Sequence, residues 1–229
     1  MWKKKTPVKP KTTWGKIWYF IWHEDSIASW VVNIIIAFIL IKFIIYPGMG
    51  FVFGTNYPVV AVVSESMEHN DSFYNWWYGQ EDFYLKNNIT DIDFRTYSFV
   101  NGFNKGDIIF LYGTTPENVE VGNVIVYWAQ DTEKKPYPII HRVTNIRDTG
   151  GEVYFETKGD NNVRQIREPE LDEKNVAVNN YIGRATFRIP YVGYVKIWFV
   201  DMLQWTGIMQ SGPDETTTFI NSSVEPNLG

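Results

Sequence analysis

The sequence predicts a mainly β protein: an all-β domain carried on an N-terminal transmembrane helix and followed by a C-terminal amphipathic helix. Three observations predict it. Residues Ile27 to Tyr46 are one apolar run of 20 residues, ending at Pro47-Gly48. Between Tyr57 and Ile189 the chain breaks into short runs rich in Val, Ile, Tyr and Phe, without helical periodicity. Over 191–209, Tyr191, Val195, Trp198, Met202, Trp205 and Met209 recur at steps of three and four.

Taken in order, residues 1–26 form a basic N-terminus. Residues 1–25 hold Lys3, Lys4, Lys5, Lys9, Lys11 and Lys16 against Glu24 and Asp25, a local charge of +4, so with −5 overall the rest of the chain carries −9. That acidic body argues against nucleic acid as a partner. The run 27–46 has the length that crosses a bilayer, roughly 30 Å at about 1.5 Å per residue. Trp18 and Trp22 before it, with Trp30 and Tyr46 at its two ends, suit the interfaces, and Lys42 near its exit can snorkel to the headgroups. Its length and late start mark an uncleaved anchor rather than a signal peptide. The positive-inside rule places the N-terminus in the cytoplasm and everything after about residue 47 outside, at the cell membrane.

Residues 47–190 are the β-rich domain. Strands are expected over 58–63, 107–112, 123–128, 138–146, 152–157 and 181–189, with a hairpin at Asp148-Thr149-Gly150-Gly151. An insertion at 69–105 interrupts this pattern with Phe73, Tyr74, Trp76, Trp77, Tyr78, Phe83, Tyr84, Phe94, Tyr97, Phe99 and Phe103. It is too aromatic for a linker, and two roles stay open that do not exclude each other: a subdomain with its own core, or a flap facing the membrane surface or a substrate. Residues 191–210 predict a helix lying in the membrane interface in preference to a second span, because Lys196, Asp201 and Gln204 interrupt it. Residues 211–229 are a polar tail. Asn88 and Asn221 fit the N-glycosylation pattern.

Composition narrows the chemistry. The chain has no cysteine among its 229 residues, which removes disulfide scaffolds, thiolate metal sites and cysteine nucleophiles. No carboxylate–histidine cluster has metal-ligand spacing, so neither metal nor cofactor is expected. A hydroxyl nucleophile needs a base. Of the three histidines, His23 precedes the anchor, leaving His69 and His141. Ser66 follows a strand, where a turn serine and a nucleophile are both consistent with the residues. His141 lies within the apolar strand Pro138 to Val143, where a structural role and a base are both open. His69 reads as a solvated loop residue. Asp160, in Thr157-Lys158-Gly159-Asp160-Asn161-Asn162, suits a turn and also suits orienting an imidazole.

In order, Ser64-Glu65-Ser66-Met67-Glu68, Lys105-Gly106-Asp107-Ile108-Ile109, Ile139-Ile140-His141-Arg142-Val143, Thr157 to Asn162, Tyr181-Ile182-Gly183-Arg184-Ala185 and Ile189-Pro190-Tyr191-Val192-Gly193 resemble the type I signal peptidases. The subtype resembled is the archaeal and endoplasmic-reticulum one, with His where bacterial enzymes have Lys. The resemblance covers about residues 30–68 and 104–195. It implies a signal-peptidase-like all-β catalytic domain and a membrane-bound serine endopeptidase removing signal peptides from secreted preproteins on the outer face. The partners implied are those preproteins, the lipid bilayer and the secretion translocon. It further implies Ser66 as nucleophile, His141 as base and Asp160 as the acid that holds the histidine. The Ser66 amide and the Ser64 hydroxyl become oxyanion donors. Val62, Val63, Ile139 and Ile140 become the flanks of an extended substrate. Asp107 also lies in a family motif, where a turn role serves equally. Two departures stand out. His69 occupies the place of a usual proline, and Ile166 occupies the place of a usual second aspartate, for which Glu168 is the nearest substitute. Other classes stay in view: a non-catalytic β domain binding a partner through its aromatic insertion, or a Ser/Lys peptidase using Lys158 or Lys105.

Overall fold

The computed structural model describes residues 10–70, 72–129 and 138–192. All but the first two residues of the expected helix at 191–210, the tail at 211–229, Asn221 and the lysines at 3, 4, 5 and 9 therefore lie outside the described residues. The chain divides into two compact units, 1–52 and 53–229.

In the first unit, helix α1 (Thr13–His23) is N-capped by Thr12 and helix α2 (Ile27–Leu40) by Ser26, each side-chain oxygen accepting from a first-turn amide. Two polar residues of the apolar run have structural uses. Ser29 Oγ donates to Phe20 O at 2.6 Å and Asn33 Nδ2 to Ile21 O at 2.9 Å. They satisfy carbonyls that the end of α1 leaves without helical partners. The expectation that Pro47-Gly48 ends the anchor is corrected: the helix continues through α3 (Tyr46–Phe53), giving 27 residues from Ile27 to Phe53, with a mean hydropathy of 2.4 over its most apolar 18-residue window. That is roughly 40 Å at about 1.5 Å per residue, long enough to cross a membrane with tilt. Proline lacks an amide proton and its ring opposes the carbonyl four residues back. The turn Ile41–Ile45 just before it is π-helical, with Tyr46 N bonded to Ile41 O, so the ladder has already shifted by one residue where Pro47 enters.

In the second unit, the strands are β1 (Val59–Ala61), β2 (Ile108–Tyr112), β3 (Val124–Trp128), β4 (Pro138–Thr149), β5 (Glu152–Lys158), β6 (Arg167–Glu168), β7 (Leu171–Asp172), β8 (Val176–Ala177) and β9 (Tyr181–Ile189). Seven form an antiparallel sheet ordered β1-β2-β9-β3-β4-β5-β8, and β6-β7 form a separate ribbon. The β4-β5 hairpin turns at Gly150 and Gly151, whose φ values of +69° and +90° suit glycine. Register shifts interrupt the β2-β9, β3-β9 and β4-β5 ladders. Such bulges increase local twist and help a sheet coil. Strand β3 is buried on both faces: Val124 and Val126 join a core with Val62, Met67, Phe103 and Leu111, while Ile125 and Tyr127 join another with Val143, Phe155 and Val176.

The expectation of no helix between 57 and 190 is also corrected. The insertion contains helix α4 (Phe73–Lys86), N-capped by Ser72, and the short α5 (Asp91–Phe94), opened by a Thr90–Asp93 capping box. Trp76, Trp77, Tyr84, Ile89 and Phe94 make a third core there, with Phe73, Phe83 and Tyr97 at its edge. The helical period is blurred in the sequence because Tyr74, Tyr78 and Leu85 leave large apolar groups on the exposed side as well.

Candidate active site

Strand β1 ends the sheet and β4 lies beyond β2, β9 and β3. In a flat sheet their separation would be roughly 19 Å at about 4.8 Å per strand. Yet Ser66 Oγ lies 3.0 Å from His141 Nε2. The coiled sheet therefore brings the loop after β1 back onto β4. Two backbone bonds hold that loop: Phe103 N donates to Met67 O at 3.0 Å and Asn161 N to Ser66 O at 2.8 Å. Buried Met67 pins it to the core beneath.

His141 stands in mid-β4 opposite Ile125 and is 4% exposed. Its Nδ1 meets Glu173 Oε1 at 2.5 Å. A carboxylate at Nδ1 fixes the ring proton there and leaves the Nε2 lone pair facing the Ser66 hydroxyl. Glu173 is fully buried and follows β7. Its Oε2 accepts from Ile166 N at 2.6 Å, and Thr157 Oγ1 donates to its Oε1 at 3.3 Å. Its own backbone bonds Ile166 O and Thr157 N. These donors lower the cost of burying the carboxylate. Tyr127 OH, 2.8 Å from Thr157 Oγ1, completes the layer beneath.

The acid on His141 is thus Glu173 and not Asp160. Asp160 is fully buried and faces Arg142, whose Nε and Nη2 donate to its carboxylate at 2.9 and 2.6 Å. Tyr84 OH adds a donor at 2.9 Å, and His69 Nε2 lies 3.1 Å from Oδ2. Burial alone would raise the Asp160 carboxyl. The Arg142 charge and the bonds from His69 and Arg142 outweigh it and hold the group well below the usual carboxylate range. Arg142 also donates to the carbonyls of Ser98, Phe99 and Gly122, tying the end of the insertion to β4. The sequence expectation for His69 is corrected as well: its side chain is buried, stacked on Trp76 with centroids 3.7 Å apart, because a flat ring and an Asp160 partner are both available there.

Other expected residues fall as follows. Ser64 Oγ lies 3.2 Å from Ser66 Oγ on the exposed side. The Ser66 amide has no acceptor among the described residues. Val63 is 56% exposed, while Val62 is in the core and Ile139 and Ile140 are half-buried against the two sheet cores. Glu168 is exposed on β6, paired with Leu171, and bonds neither His141 nor Asp160. The reason lies in the ribbon's register. Arg167 pairs with Asp172, which sets Ile166 opposite Glu173, so the acid comes from the facing strand. Asp107 accepts from Asn104 N and Tyr191 N, a turn role. Lys158 Nζ bonds Gln80 Oε1, Gly159 O and Asp160 O rather than Ser66. Burial pulls its pKa down to about 8, against the raising influence of Asp160 and Glu173. Lys105 is joined to Glu68 through its amide.

A serine hydroxyl, an imidazole with a defined acceptor nitrogen and a buried carboxylate form one continuous hydrogen-bonded line, the arrangement that activates serine for acyl transfer.

No family model matches the chain. Named proteins do. It is 29% identical over 163 residues to the signal peptidase complex catalytic subunit sec11 of Schizosaccharomyces pombe, covering 68% of this chain and 74% of that one. It is 27% identical over 161 residues to the subunit SEC11 of Lachancea thermotolerans, with the same two shares. It is 33% identical over 97 residues to the subunit SEC11C of Homo sapiens, covering 42% of this chain and 49% of the human one.

Proposed function

We propose that this chain, a homologue of the catalytic subunits of signal peptidase complexes, is a membrane-anchored serine endopeptidase that removes N-terminal signal peptides from secreted preproteins. The observation that carries the proposal is the unbroken line Ser66–His141–Glu173. His141 Nε2 takes the Ser66 hydroxyl proton as Oγ adds to the scissile carbonyl. The same proton goes to the leaving amine as the peptide bond breaks. An acyl-Ser66 ester remains, and water activated by His141 hydrolyses it. Glu173 keeps the imidazole in the productive tautomer and stabilises its cationic form. The Ser66 amide and the Ser64 hydroxyl are the oxyanion donors, each such donor worth about 3–4 kcal/mol in the transition state. Exposed Val63 flanks an extended substrate by strand addition.

In this proposal the helix 27–53 anchors the enzyme in the cell membrane, with the basic N-terminus in the cytoplasm and the β domain outside. The anchor raises the effective concentration of the site at the place where a signal peptide leaves the bilayer. The secretion translocon is the partner that delivers the substrate. The partner-binding alternative is not favoured: it needs Ser66 and His141 far apart, and they are in hydrogen-bond contact.

The experiment is cleavage of a purified preprotein by the full chain in detergent or proteoliposomes, with the product's N-terminus sequenced. One cut at the junction of signal peptide and mature chain is expected. An uncut preprotein, or cuts scattered through the mature region, would refute the substrate class.

A further inference from the structure

We infer that helix α4 of the insertion positions the nucleophile: Trp76, Gln80 and Tyr84, acting through Lys158 and Asp160, hold the 159–161 turn against Ser66 and His141. The inference rests on the serine endopeptidase reading above and assigns the insertion a part in that reaction.

The turn touches both reacting side chains' supports. Asn161 N donates to Ser66 O at 2.8 Å, and Asn161 Nδ2 to Glu65 O at 3.1 Å. At Gly159 a Cβ would come within 2.8 Å of Ser66 O and 2.9 Å of His141 Nε2. A shift of this turn by even part of an ångström therefore moves Ser66 or His141.

The insertion fixes the turn from the other side. Trp76, Gln80 and Tyr84 are four residues apart and lie on one face of α4. Each offers one polar atom from a largely aromatic helix. Trp76 Nε1 donates to Asp160 O at 3.2 Å, and Tyr84 OH to Asp160 Oδ1 at 2.9 Å. Gln80 Oε1 accepts from Lys158 Nζ at 2.8 Å, and the same ammonium donates to Gly159 O and Asp160 O. Trp76 and Tyr84 are buried, so unmatched polar tips there would be costly, and the turn is what matches them. Burial, and next the Asp160 charge, raise the Tyr84 phenol well above its usual value, so it remains a donor across the working pH range. Phe73 and Trp77, elsewhere on α4, also pack on Phe94, so the helix is held by contacts other than its bonds to the turn.

These are positioning residues, because none touches the reacting atoms. The test uses the full chain with a preprotein substrate and separates kcat from KM at matched folded fraction, read from the thermal transition. Tyr84→Phe and Gln80→Met each remove one polar tip and keep the bulk. Each is expected to lower kcat by roughly 10-fold to 100-fold with KM unchanged, as misplacement of a reacting group does. Tyr78→Phe, on the exposed side of α4, serves as the control and is expected to match the wild type. Wild-type kcat per folded molecule in either variant, or a change confined to KM, overturns the inference. Should Tyr84→Phe fail to fold, Gln80→Met decides. Ser66→Ala run alongside separates the two levels: if it still cleaves, the serine mechanism fails; if it is dead while the α4 variants are normal, the positioning role alone fails.

Discussion

Ser66→Ala is expected to lower preprotein cleavage by about 10⁶-fold, the loss typical when one member of a cooperating nucleophile–base pair is removed. The folded structure should survive it. Ser66 is half-buried; its hydroxyl bonds the exposed Ser64 Oγ, which can turn to water, and His141 Nε2, whose ring stays held at Nδ1 by Glu173. The thermal transition should move little, since exposed-side substitutions usually stay within about 0.5 kcal/mol. His141→Ala is expected to be as inactive but less stable, because it strips Glu173 of its Nδ1 partner inside the protein. Cleavage rates in membranes, beside melting curves of the same samples, check both. Retained hydrolysis by folded Ser66→Ala contradicts the mechanism.

The second large effect is on stability. Asp160→Asn is expected to destabilise the domain by about 3–5 kcal/mol, because it leaves the wholly buried Arg142 guanidinium uncompensated. The effect should depend on pH in a defined sense. The folded Asp160 carboxyl is held far below its unfolded value. Its contribution is therefore fully present above the unfolded carboxylate pKa of about 3.9 and is lost as pH falls below that value through the folded one. Melting temperatures of wild type and Asp160→Asn should differ widely at pH 7 and converge as the pH drops below about 4. A constant gap down to pH 3 would show that the Arg142 ion pair is not what the substitution breaks.

What the sequence made legible depended on whether a feature was local. Strand β9 falls on the expected 181–189, and β2 and β3 lie within a residue of expectation, because β-branched runs bounded by turn residues define them locally. Ser66 and His141 were legible as candidates through the order of motifs and the scarcity of histidine. Glu173 was not, because its position depends on pairing between β6 and β7. Only that ladder places it opposite Ile166, while Glu168, nearer in sequence, is exposed. Helix α4 was hidden by aromatic residues on both sides, and buried His69 by a stacking partner seven residues away. The run past Pro47 depended on a π-turn that no single residue announces.

In the proposed mechanism Glu173 orients the base while Asp160 holds the surrounding structure, and the rate of Glu173→Gln separates the two roles. Glutamine keeps the shape and presents either an amide N–H or a neutral oxygen to His141 Nδ1, so the correct tautomer is no longer enforced. For Glu173→Gln, kcat is expected to fall by about 10³–10⁴-fold with KM nearly unchanged, as when an orienting carboxylate is neutralised. Wild-type kcat in folded Glu173→Gln, together with an inactive Asp160→Asn of unaltered melting temperature, would contradict that mechanism.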